Sequence, residues 1–233
     1  MSARMRPFAR RILVWVVIVG LNASLALPDQ RGGVASTVHN LSASGPGEIR
    51  ALGETQVCKF CHVPHTPVVK EPLWGHALSE VTEYQTSKLR RGTDGGTPAP
   101  QPDGVSRLCL SCHDGTIALG DLGRSRKPIR TTGAAHLRPG RRGYLGTDLS
   151  GAHPISFVMG DVDADPIEPS DVRLRTVSEV QTDPDVRLDE NGKIQCTTCH
   201  DPHSDNYFKD GEVPRFWVKP TITEVCVVCH ELS

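Results

Sequence analysis

Cysteine and histidine recur in this chain at one fixed spacing. Cys-x-x-Cys-His occurs four times, as Cys58/Cys61/His62, Cys109/Cys112/His113, Cys196/Cys199/His200 and Cys226/Cys229/His230. Two thiols three positions apart can add across the two vinyl groups of a haem, and the next histidine is placed to ligate the iron from below. All eight cysteines are consumed by these motifs. Disulfides, favoured in exported chains, and zinc, favoured by paired Cys-x-x-Cys, are the competing readings, and neither accounts for a histidine after every pair. The expected cofactor set is therefore four covalently attached c-type haem groups, with iron.

Each iron has a second axial position. Beyond the proximal His62, His113, His200 and His230, the chain offers His39, His65, His76, His136, His153 and His203. Methionine can fill at most one position, because Met159 is the only one beyond the N-terminal segment. Six imidazoles for four positions allow every iron to be closed by two histidines. The surroundings favour His153, His76, His203 and His65, then His39, with His136 last because its neighbours are basic. Cys58 to His65 and Cys196 to His203 share the pattern Cys-x-x-Cys-His-x-Pro-His, an internal repeat. His65 and His203 stand too close to their own motifs to cap their own haems, so each is expected to reach a neighbouring one, with Pro64 and Pro202 stiffening the turn. His39, on an N-terminal arm, could instead cap a haem of another subunit. A ligand donated head to tail is a heterologous contact, which can build a filament.

The elements that must position these groups leave weak signals. Only 37% of residues are apolar and 5% aromatic, with 22 Gly and 18 Pro, too little for a broad protein core. The expected fold is mostly irregular, with few short helices and a small β-hairpin, wrapped around a stack of four covalently bound haems. Residues 1–26 read as a signal peptide, with Arg4, Arg6, Arg10 and Arg11 before the apolar Ile12 to Leu21 and a small-residue site at Ser24-Leu25-Ala26. Residues 27–233 form the tetrahaem domain. Removing the leader lowers Lys+Arg from 26 to 22 against 27 acids, a charge of −5, which argues against nucleic acid as a partner.

Within that domain, 27–57 reads as an extended arm ending in a turn, Ser79 to Leu89 as a short amphipathic helix, and 92–104 as a linker. Asn191-Gly192 predicts a hairpin between 186–188 and 193–195. Arg124 to Arg142 holds seven basic residues, a solvated loop or a partner for propionates. Asp161, Asp163 and Asp165 alternate, which suits a solvated loop better than a Ca²⁺ site. Trp74 and the cluster Tyr207, Phe208, Phe216 and Trp217 are aromatic surfaces suited to porphyrin edges.

In these motifs the chain resembles exported multihaem c-type cytochromes with doubled Cys-x-x-Cys-His motifs, found in metal-reducing and related bacteria. The stretches that carry the likeness are Val38 to Ser42, Cys58 to His65, Pro72 to His76, Cys109 to Gly115, Ser150 to Phe157, Cys196 to His203 and Cys226 to His230. The tetrahaem filament-forming surface cytochromes of that family are similar in length and haem number. The resemblance implies bis-histidine haems in a continuous stack and a ligand from the next subunit. Where the family often has Asn before the histidine, this chain has Gly75.

The expected function is electron transfer without enzymatic chemistry, in the periplasm or at the cell surface. Redox proteins would be donors and acceptors, self-association into a filament is open, and no small organic substrate is expected. The alternative is a haem reductase of nitrite or hydroxylamine type, which needs an iron with an open position.

Overall fold

Two thiols at i and i+3 share one face only if the backbone between them makes a helical turn, and all four motifs do so. The structure, a computed structural model, describes residues 33–89, 96–125, 127–161 and 173–231. The first motif lies in a 3-10 turn, Val57–Phe60. The second occupies the longest helix, α1 (Gly104–His113). α2 (Val177–Val180) carries a Thr176/Glu179 capping box. The third motif forms α3 (Cys196–Cys199) and the fourth ends α4 (Ile222–Cys229), whose N-cap Thr221 accepts from Glu224 N–H. No helix of the described residues is long and apolar enough to cross a membrane.

Strands are two residues long and pair three ways. β1 (Gln85–Thr86) runs parallel to β4 (Asp148–Leu149), β2 (Lys88–Leu89) antiparallel to β3 (Thr97–Pro98), and β5 (Arg173–Leu174) antiparallel to β6 (His230–Glu231). The last pairing sets Leu174 opposite His230 and so anchors the fourth proximal histidine.

Apolar packing is confined to small clusters. Phe157, Met159, Val180 and Ile194 form one, and Tyr84, Leu110 and Leu149 another. Met159 is thus a core side chain. The helix expected over Ser79 to Leu89 is absent: Tyr84 N–H donates to Gln101 Oε1 (2.6 Å) and Gln85 N–H to the Thr147 carbonyl (3.0 Å), so that backbone is spent on neighbouring segments. The hairpin is half formed. Gly192 (φ 72°) turns the chain there, but Ile194 N–H donates to the Phe157 carbonyl (3.1 Å) and Ser156 N–H to the Ile194 carbonyl (2.7 Å). The returning arm pairs with 156–158 because Ile194 joins the Phe157 cluster. The leader, part of the linker, Arg126, Asp163 and Asp165 lie outside the described residues.

A polar lock joins the second and third motifs. Gln195, 2% exposed, sends its Oε1 to Ser106 N–H (3.3 Å) and accepts the Ser106 hydroxyl (2.5 Å). Ser106 Oγ in turn accepts Cys196 N–H (3.0 Å). Each helix start thus satisfies an orphan N–H of the other. Gln195 Nε2 donates to Asp103 (3.0 Å) and Asp189 (2.9 Å). Gly104 (φ 49°) permits the approach, since a Cβ there would sit 3.1 Å from Gln195 Nε2.

Candidate haem sites

The lock brings Cys109 beside Cys196, close enough for their sulfurs to share a hydrogen bond. Cys109 is pushed up by that bond and by burial, while the same bond holds Cys196 down to about 7. Burial pushes the Cys61 thiol up to about 11 and the Cys199 thiol to about 12, and raises Cys112 and Cys229. All eight cysteines are free.

Three proximal histidines each meet one of the spare histidines. The ring centres of His39 and His113 are 5.9 Å apart, of His62 and His203 6.0 Å, and of His153 and His230 6.3 Å. A metal–imidazole nitrogen bond of about 2 Å, plus roughly 1 Å from nitrogen to ring centre on each side, requires about 6 Å between two rings that share one ion. The pairs fit a shared iron. Among the described residues no three or more His, Cys, Asp or Glu side chains converge as a metal cage.

The ring nitrogens are sorted as ligation needs. Nδ1–H of His62 donates to the Pro72 carbonyl (2.7 Å), His113 to Gly143 (2.5 Å), His153 to Pro154 (2.8 Å) and His200 to Arg215 (3.0 Å). A carbonyl only accepts, so Nδ1 carries the hydrogen and Nε2 keeps its lone pair for a metal. Burial lowers the pKa of His200 and His230, and that of His39, with help from His113, His200 and His203, to about 4. All three stay neutral at pH 7. Two buried donors have no partner among the described residues, Trp74 Nε1 and His230 Nδ1; both lie beside haem-binding motifs, where propionate carboxylates could accept them.

The internal repeat runs further than its eight residues. Val63 N–H donates to the Leu73 carbonyl (2.9 Å) and Gly75 N–H to Cys61 (2.8 Å), and in the second copy Asp201 N–H donates to Phe216 (2.7 Å) and Val218 N–H to Cys199 (3.1 Å). His62 bridges Trp74 as His200 bridges Trp217, and each indole packs edge-on against that imidazole, at 6.0 and 5.0 Å. Leu73 and Phe216 share a φ of 62°. That left-handed turn rotates the preceding peptide, whose carbonyl receives Nδ1–H of the histidine. A non-glycine residue there stores about 1 kcal/mol or more of strain. The sequence signal is Leu-Trp and Phe-Trp after each copy, and it is visible only once the second loop is allowed to be longer.

The His203 ring lies beside that of His62, the proximal histidine of another motif. His39, ranked below four others, is the ring beside His113, stacked on Phe216 (4.2 Å between centres). Within this chain its ring contacts are therefore with His113 and Phe216. His76 is fully buried beside Cys112 (3.5 Å) with its nitrogens on the Ala77 and Ala118 carbonyls, and it faces none of the proximal rings. His65 is exposed and His136 half-buried. His200 has its described ring contact with Trp217. Of the aromatic cluster, Phe216 and Trp217 touch histidines, and Phe208 lies under the Arg215 guanidinium at 3.8 Å. The basic loop ties Arg141 to Glu48, and Arg142 to Asp210 at 2.5 Å, as exposed pairs of little energetic weight.

Repeated thiol pairs each followed by an imidazole, three of these with Nδ1–H on a carbonyl and three with a second imidazole nearby, define a multihaem c-type cytochrome-like protein. In agreement, the family described as "doubled CXXCH motif" matches residues 190–232, which hold the third and fourth motifs. No curated protein matches the chain. Haem c binding and electron transfer follow in general terms from that motif.

Proposed function

We propose that the chain is an exported tetrahaem electron carrier whose irons are held by paired imidazoles, within a continuous haem stack. The observation that carries this reading is the coincidence of three imidazole pairs 5.9–6.3 Å apart, one ring of each having its Nδ1–H anchored on a carbonyl. Bound haem supplies the reversible Fe(III)/Fe(II) couple. The chain's part is to hold each iron between two neutral imidazoles, which keeps potentials low, and to bury the sites. Adjacent sites support a stack. The Cys109–Cys196 contact brings the second and third motifs together, and the Cys199 thiol feels Cys229 and Cys226 of the fourth.

His200 is the proximal ring with no histidine in ring contact among the described residues, and His65, His76 and His136 remain to serve it. The exposed His65, donated to His200 of the next copy, would close the fourth iron head to tail and build a filament. An open position there would instead suit a reductase. Carbon monoxide added to the reduced protein separates the two: no binding is expected, and stoichiometric binding to one haem would establish the open site. Filaments in electron micrographs of extracellular material are the expected form, and monomers at high concentration would overturn it.

A further inference from the structure

The two copies of Cys-x-x-Cys-His-x-Pro-His carry different residues immediately after the proximal histidine: Val63 in the first, Asp201 in the second. They also differ in outcome. His203 of the second copy, itself exposed, lies against His62, rings within 17° of parallel, whereas the exposed His65 of the first has no ring contact among the described residues. Asp201 Oδ1 accepts His203 N–H at 2.9 Å and stands 3.4 Å from His203 Nδ1. The first contact fixes the carboxylate before the ring chooses a rotamer. The second is an ion-pair contact between partly exposed groups, and it favours the tautomer whose Nδ1 bears the hydrogen beside the carboxylate, leaving the Nε2 lone pair for a metal. Val63 has no acceptor, and its methyls pack over Gly75, where even a Cβ would sit 2.6 Å from Val63 Cγ1.

We infer that Asp201 is a positioning residue for haem ligation, selecting the imidazole orientation that lets His203 reach across to His62 and making that axial pair more electron-donating. This rests on the haem reading above. A carboxylate beside Nδ1 raises imidazole basicity and stabilises the oxidised iron, so a haem on Cys58 and Cys61 would be held below the potential it would otherwise have.

The test uses full-length exported protein and the variants Asp201→Asn, Asp201→Val and His203→Ala, the last marking which spectral component belongs to this haem. Haem number is counted by intact mass, spin state by electron paramagnetic resonance, and midpoint potentials by spectroelectrochemistry. Asp201→Asn keeps an oxygen acceptor, so it should leave the haem low-spin and shift only its potential upward. Asp201→Val should shift it further and raise a high-spin fraction at the haem that His203→Ala converts. Parent spectra and potentials in both Asp201 variants, or changes at another haem, would overturn the inference. Fewer than four haems in the parent protein would instead defeat the reading beneath it.

Discussion

The imidazoles of His62 and His203 lie 6.0 Å apart and nearly parallel, although one belongs to the first haem motif and the other comes just after the third. A shared iron between them would cross-link distant parts of the chain. His203→Ala is therefore expected to turn one low-spin haem high-spin while all four remain attached. His39→Ala and His153→Ala should each do the same at a different haem, and His136→Ala should not. Electron paramagnetic resonance of the four variants checks this, and a low-spin spectrum unchanged in His39→Ala would remove it from the ligand set.

Gln195 closes the lock between the second and third motifs. Replacing it with Leu strands the buried Ser106 N–H and takes one donor from each of Asp103 and Asp189, which keep Lys193 and the Asn191 and Lys193 N–H groups respectively. The expected loss is about 2–3 kcal/mol of stability, read as a lower denaturation midpoint of the haem-loaded protein.

Leu73 and Phe216 share a left-handed backbone but not an environment, being 45% and 6% exposed. Leu73→Gly relieves strain at little burial cost and should stabilise by about 0.5–1 kcal/mol. Phe216→Gly also loses the surface on which His39 stacks and should destabilise by about 3 kcal/mol. Denaturant titrations of both variants would show shifts of opposite sign.

The attachment chemistry was legible in the sequence because the spacing is itself the chemistry, and the shortage of apolar residues foretold the small clusters around Phe157 and Leu110. That the His203 ring would lie beside a histidine of another motif rather than its own could be argued from its short spacing to His200. The placement of His39 could not: its burial comes from Phe216, far along the chain, and nothing beside His39 announces it. The helix expected over 79–89 failed because Gln101 and Thr147 compete for its backbone. The hairpin failed because Ile194 gains more by joining Phe157 than by facing Val186. The Nδ1 acceptors are backbone carbonyls of Pro72, Gly143 and Arg215, which no residue type can signal.

Among the described residues the clustered buried apolar side chains are few, which leaves the haem-free chain little to fold around. Protein exported without haem attachment should give poorly dispersed amide resonances, and a well-dispersed spectrum would show that the polypeptide folds alone.

The central claim is that the four motifs carry four haems closed by imidazoles. Intact mass of the purified exported protein, with electron paramagnetic resonance on the same sample, tests it most directly. Four covalent haem additions, all low-spin, are the predicted result. Fewer additions, or a high-spin haem that binds carbon monoxide in the assembled protein, would contradict it.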